Sequence, residues 1–175
     1  LAYILGFILG LQYVKYLNSK HSLTLNNSLI NDFFFFSILG VILGGRIGYI
    51  LLYNPNYYFH NPIEIIKLWK GGMAFHGGLI GIILSTFIFS LKNKVSFYIF
   101  CDLTACAAPI GIFFGRIANF INGELVGRVT ENKIGIIFNH IDNFTRHPSQ
   151  IYEAILEGII LFLILFFLQN RERFI

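Results

Sequence analysis

Four short stretches place ionisable or hydrogen-bonding side chains among residues that are otherwise Phe, Ile, Leu and Gly. Burying such a group in lipid costs about 2.5–3.5 kcal/mol on insertion scales, so each one asks for a reason. His76 lies between Gly71-Gly72 and Gly77-Gly78. Glycines keep Cβ atoms away and let a backbone or a ligand approach. Histidine titrates near neutrality and can accept a proton as a general base. The same spacing also fits a histidine hydrogen-bonded to a neighbouring helix. Arg116 and Asn119 are three apart and share a helix face, just before Asn122-Gly123-Glu124. A guanidinium offers a planar fork suited to phosphate. A buried arginine needs either an anionic ligand or an acidic partner, and Glu124, Glu153 and Glu157 are the candidates. Gln150, Glu153 and Glu157 form a polar stripe behind Arg146-His147-Pro148-Ser149. That stripe could line a site or pair with Arg116 or Arg46. Arg46 and Tyr49, again three apart, sit in Gly44-Gly45-Arg46-Ile47-Gly48-Tyr49. There the spacing favours a helix contact with an interfacial aromatic. Asp102 is a weaker candidate, close enough to a helix end to reach water or Lys94.

The elements that carry these residues follow from composition. Hydrophobic residues make up 55% of the 175, aromatics 17% and charged residues 13%, about half the charge of a soluble domain, roughly 25%. Disorder is excluded on the same ground. The net charge of +4 comes from Lys and Arg scattered between apolar blocks, so no basic patch for nucleic acid is expected. Cys101 and Cys106 stand alone in an apolar stretch and make neither a disulfide framework nor a zinc pattern. A spanning helix needs about 20 mostly apolar residues. Five blocks approach this, at residues 1–17, 33–53, 73–91, 97–122 and 149–168. The reading is an all-α, polytopic membrane helix bundle of about five spans. It forms a single transmembrane domain over residues 1–175 that is expected to be truncated at both ends.

Lys15, Lys20, Lys92, Lys94, Arg171 and Arg173 fall in alternate connections, which the positive-inside rule places in the cytoplasm. Residues 54–72 and 123–148 are then the outer loops. Their Lys67, Lys70, Arg128, Lys133 and Arg146 are partly offset by Glu64, Glu124, Glu131 and Asp142. Small residues recur four apart at Gly6/Gly10, Gly40/Gly44/Gly48, Gly77/Gly81/Ser85 and Ala107/Gly111/Gly115, the spacing that lets membrane helices pack backbone to backbone. His76, Arg46, Arg116, Asn119, Glu124, Glu153 and Glu157 would then cluster toward the outer face, where a cationic pocket suits an anionic lipid head group.

At these residues the chain resembles the prolipoprotein diacylglyceryl transferase family of bacterial inner-membrane enzymes. The matching stretches are Gly44–Tyr49, Gly71–Gly81, Gly115–Arg128 and Arg146–Glu153. Four long motifs in order cover essentially the whole chain. The resemblance implies transfer of the diacylglyceryl group of phosphatidylglycerol to the thiol of the lipobox cysteine of a preprolipoprotein. It implies a multi-pass protein of the inner membrane, with membrane lipids and a lipobox peptide as partners and neither a metal nor an organic cofactor. It gives His76, Arg116, Asn119 and Glu124 as catalytic residues. Arg116 binds phosphatidylglycerol in this reading, together with Arg46, Tyr49, Gly127 and Glu153. The histidine's role as base is debated for the family. Family members continue past the fifth span with two further spans, one carrying a second functional arginine. They also begin upstream with a functional tyrosine, and many have a longer outer segment between the positions of Arg128 and Arg146. A small-solute or lipid transporter and a non-catalytic membrane-assembly subunit are the competing classes. A transporter would favour internal repeats and midplane polar residues; the sequence has no convincing repeat, and its polar residues gather toward one side. An assembly subunit predicts that Arg116 and His76 pair only internally.

Overall fold

A computed structural model describes residues 2–23 and 25–169. Arg171 and Arg173, which entered the orientation argument, lie outside the described residues. Helices dominate: α1 Ala2–Lys20, α2 Asn27–Tyr53, a short α3 Pro55–His60, α4 Phe75–Asn93, α5 Phe97–Asn122, α6 Ser149–Glu153 and α7 Leu161–Leu168. A π-helical segment, Ala154–Ile160, joins α6 to α7, so residues 149–168 run as one helix. Among the described residues, four helices are long and apolar enough to cross a membrane: Asn27–Tyr53, Phe75–Asn93, Phe97–Asn122 and Ser149–Leu168. The first apolar block forms the 19-residue α1. At about 1.5 Å per residue it is close to a bilayer core in length, but it is not one of the four that are also apolar enough. The chain is an all-α polytopic membrane protein.

Two boundaries differ from the sequence reading in an instructive way. Helix α2 begins six residues earlier than its apolar block, because Asn26 caps it: the Asn26 side chain accepts the Ser28 N–H at 3.1 Å. Apolarity alone misses a polar first turn. Helix α4 begins at Phe75 and runs to Asn93, where Lys94 takes the left-handed conformation and closes the helix onto the Ser90 carbonyl.

Contacts group the described residues into two compact units. The first joins residues of Leu1–Thr24 to those of Asp102–Ile175; the second is Leu25–Cys101. In the second unit, α2 packs along α4 through the predicted small residues. A Cβ on Gly48 would lie 2.7 Å from the Gly77 Cα, and one on Gly44 would lie 2.7 Å from the Gly81 Cα. Backbone meets backbone there, and only hydrogen fits between. At the far end of the same unit, Phe33, Phe89 and Phe100 form an aromatic core, with Phe33 and Phe100 stacked at 4.3 Å between ring centroids.

In the first unit, Gly6 on α1 faces Gly111 on α5, where an added Cβ would stand 3.2 Å from the Gly111 Cα. Gly158, inside the π segment, lies against Phe113 of α5. Pro109 sits within α5, where it removes one backbone hydrogen bond. The segment after α5 is not a bare loop. A two-stranded antiparallel ribbon pairs β1 Ile136–Ile137 with β2 Thr145–Arg146, in the register Ile136↔Arg146 and Ile137↔Thr145.

Candidate active site

In the first unit, α5 carries Arg116 and the helix at 149–168 carries Glu153 and Glu157. Arg116 Nε stands 2.8 Å from Glu153 Oε2, and Nη2 stands 3.7 Å from Glu157 Oε2. Of the three acidic partners the spacing allowed, these two meet the guanidinium. The side chains are 30% exposed for Arg116, 35% for Glu153 and 50% for Glu157, so the cluster is open to a ligand. Glu157 lies in the π segment. Such segments carry an extra residue per turn and re-aim the side chains they contain; inside α-helices they recur at functional sites.

The end of α5 leads into Asn122-Gly123-Glu124-Leu125, where the backbone turns sharply. The Glu124 N–H closes onto the Asn119 carbonyl at 2.8 Å. Gly123 (φ 67°) and Leu125 (φ 54°) are both left-handed. For a branched side chain such as Leu125 this conformation is uncommon and costly. It persists because the next motif holds it. Ser149 Oγ donates to the Leu125 carbonyl at 2.9 Å, and Gln150 Nε2 donates to the Glu124 carbonyl at 2.5 Å. The Gly127 N–H donates to the His147 carbonyl at 3.0 Å, and the His147 N–H donates to the Arg128 carbonyl at 3.0 Å. A Cβ at Gly127 would sit 2.5 Å from the His147 carbonyl oxygen, so a side chain there would open the clasp. Two motifs that read as separate in sequence are one hydrogen-bonded unit. The Glu124 side chain itself is exposed, 3.4 Å from Asn122 Nδ2. Gln150 is fully buried and its Oε1 has no partner.

Below the clasp, Arg146 grips Asp142 through Nε and Nη2 and donates from Nη1 to the Gly127 carbonyl at 3.1 Å. The Arg146 guanidinium holds the Asp142 carboxyl below the usual carboxylate range, and Asp142 in turn raises Arg146. His140 contacts the Gly123 carbonyl at 3.0 Å, and His147 Nδ1 lies 3.1 Å from the Tyr152 hydroxyl. The sequence reading had given Asp142, His140 and Tyr152 no such part. The four-residue spacing of Asp142 and Arg146 was the available signal for the first of these.

In the second unit, His76 stands in the first turn of α4, exposed, with its ring edge-on to Phe75 at 5.6 Å. Arg46 is 4% exposed and is occupied with backbone. Nε donates to the Ile65 carbonyl at 2.9 Å, Nη1 to those of Gly71 and Gly72, and Nη2 to those of Glu64 and Lys67. Its guanidinium also lies over the Tyr58 ring, 5.1 Å from the centroid. Tyr49 stacks on Tyr53 and accepts a hydrogen bond from Asn54. The Glu64 carboxylate bridges Lys67 and Lys70, at 2.6 Å each. These two lysines hold it below the usual carboxylate range, and it raises Lys70 in return. Among the described residues, no three His, Cys, Asp or Glu side chains converge as a metal site.

The family model for prolipoprotein diacylglyceryl transferase matches residues 1–174. The chain belongs to that family. It is 51% identical over 165 residues to a Rickettsia bellii protein named phosphatidylglycerol–prolipoprotein diacylglyceryl transferase, which covers 94% of this chain and 63% of that protein. Proteins of the same name from Rickettsia canadensis and Rickettsia felis are 48% and 47% identical, again over 94% of this chain and 64% of their own length. The chain thus spans a little under two thirds of these curated relatives. Membership rests on almost the whole chain and takes in both units described above.

Proposed function

We propose that the protein transfers the diacylglyceryl group of phosphatidylglycerol to the lipobox cysteine of a preprolipoprotein in a bacterial inner membrane. The observation that carries this reading is Arg116 within the Gly115–Arg128 motif, a partly exposed guanidinium held from one side by Glu153. Family membership and the names of the relatives support the choice of substrates. In the reaction, the substrate thiol gives its proton to a base, because the thiolate is the nucleophile. The thiolate attacks the glyceryl carbon that bears the phosphate ester. A C–S bond forms as the C–O bond breaks, and the electron pair leaves on the phosphate oxygen of glycerol phosphate, which can take the proton. Glu153 fixes the Nε edge of Arg116, while Glu157 at 3.7 Å stands beyond hydrogen-bond range. The rest of the fork is therefore available to the phosphate, where it offsets the charge of the leaving group. Asn119 and Glu124 lie at the end of the same helix, in the motif that Gly127 and Gln150 lock in place. His76 is assigned to the base, or to orienting it.

The test uses the full-length protein in phosphatidylglycerol vesicles with a lipobox peptide. The peptide should gain the mass of a diacylglyceryl group at its cysteine, with glycerol phosphate released from phosphatidylglycerol. No mass gain, or equal gain on a Cys→Ser peptide, overturns the reading.

Both substrates meet on the outer side in this scheme, so residues 54–72 and 123–148 face outward. Single cysteines at Lys92 and Asn139, in a background with Cys101 and Cys106 replaced, should label from opposite sides of the membrane. Labelling of both from one side would overturn this topology.

A further inference from the structure

We propose that Arg46 is a positioning residue: it binds no phosphate, but clamps residues 64–72 onto α2 and so fixes where α4 begins and how His76 is presented. The inference rests on the transfer reaction proposed above for the part that concerns His76. A guanidinium has five N–H donors. All five of Arg46 go to main-chain carbonyls, those of Glu64, Ile65, Lys67, Gly71 and Gly72. The side chain is 4% exposed and its face is covered by the Tyr58 ring. A phosphate could bind only by stripping the outer segment of its hydrogen bonds.

The backbone is built to receive this clamp. Residues 62–66 and 68–70 are short 3-10 turns whose carbonyls keep a lone pair for Arg46. Gly71 and Gly72 follow, at φ 77° and 84°, a conformation that side-chain-bearing residues rarely adopt. Gly72 lies on Tyr49 and Arg46: an added Cβ would be 2.6 Å from Tyr49 Cε1 and 3.0 Å from Arg46 Nη1. Two residues on, the Ala74 N–H donates to the Gly45 carbonyl at 2.9 Å. Then α4 starts, and Gly77 meets Gly44 and Gly48 of α2. From Glu64 to Gly77 the chain is thus pinned along α2 in sequence, and His76 is carried inside that pinned stretch. The Glu64 carboxylate bridges Lys67 and Lys70 and offsets part of the positive charge gathered here.

The test compares Arg46→Lys, Arg46→Gln and Gly72→Ala in the full-length protein by hydrogen exchange and by steady-state transfer kinetics. Lysine keeps the charge but has three donors on a point-like head. All three variants should raise amide exchange across residues 61–74 at least tenfold while leaving α5 unchanged. In each, kcat should fall tenfold or more, with KM for phosphatidylglycerol within about twofold of wild type. Unchanged exchange over 61–74 in Arg46→Lys overturns the clamp. A tenfold rise in KM with kcat kept, seen in the Arg46 variants and not in Gly72→Ala, would make Arg46 a phospholipid ligand instead and overturns the proposal. If the Arg46 variants do not fold, Gly72→Ala and Tyr58→Leu carry the same comparison with the arginine in place. If the wild-type protein shows no transfer, the exchange experiment still decides the clamp, and the failure belongs to the proposed reaction.

Discussion

Arg116→Lys in the full-length protein is expected to reduce diacylglyceryl transfer by two to three orders of magnitude, and Arg116→Ala by at least as much. Removing one preorganised donor from a developing anion costs about 10²–10³ in rate. Lysine retains the charge but loses the planar fork that can grip Glu153 and a phosphate at once. The fold should survive the change. The Arg116 pairs are with side chains 35% and 50% exposed, so the change breaks no fully buried ion pair. Binding of phosphatidylglycerol vesicles, measured beside turnover, separates the two explanations for a loss. Normal phosphatidylglycerol binding by Arg116→Ala removes the assigned role, whatever happens to the rate.

His76→Gln should lower turnover about 10²- to 10⁴-fold, the usual worth of a general base, with phospholipid binding intact. A free cysteine thiol has a pKa of about 8.5 and is mostly protonated at neutral pH. A neutral imidazole can take that proton, and glutamine cannot. The ring is exposed in the first turn of α4, edge-on to Phe75. Removing it therefore breaks no buried hydrogen bond, and a large kinetic loss would not be a folding loss. The pH profile is the sharper readout. The kcat profile of His76→Gln should differ in shape from that of the wild type. Turnover and profile both near wild type would end the base assignment.

The Arg46 clamp bears on how these two experiments are read. A residue that presents His76 will mimic a catalytic one in a simple activity screen. Only the split between kcat and KM, with exchange over the outer segment, tells them apart.

Hydropathy was enough to locate the four described helices that are long and apolar enough to cross a membrane, because crossing a bilayer depends on the local average of apolar side chains. Residues 97–122 and 149–168 begin and end where the apolar blocks do. The small-residue pairs on α2 and α4 were legible for the same reason, since four-residue spacing alone puts them on one helix face. Partner choice was not local. Glu124 is nearer Arg116 in sequence than Glu153 or Glu157, yet the guanidinium meets the latter two. Which helix faces meet depends on packing between elements that no single window contains. The clasp between residues 123–128 and 147–150 is likewise made mostly of backbone carbonyls and N–H groups, and backbone groups leave no mark in residue type. Arg46 shows the limit most clearly. Its spacing favours a helix contact, and only the family resemblance makes it a ligand for phosphatidylglycerol. Tertiary structure alone turned five carbonyls of one segment toward it, because a buried guanidinium must find an acceptor for every donor it carries.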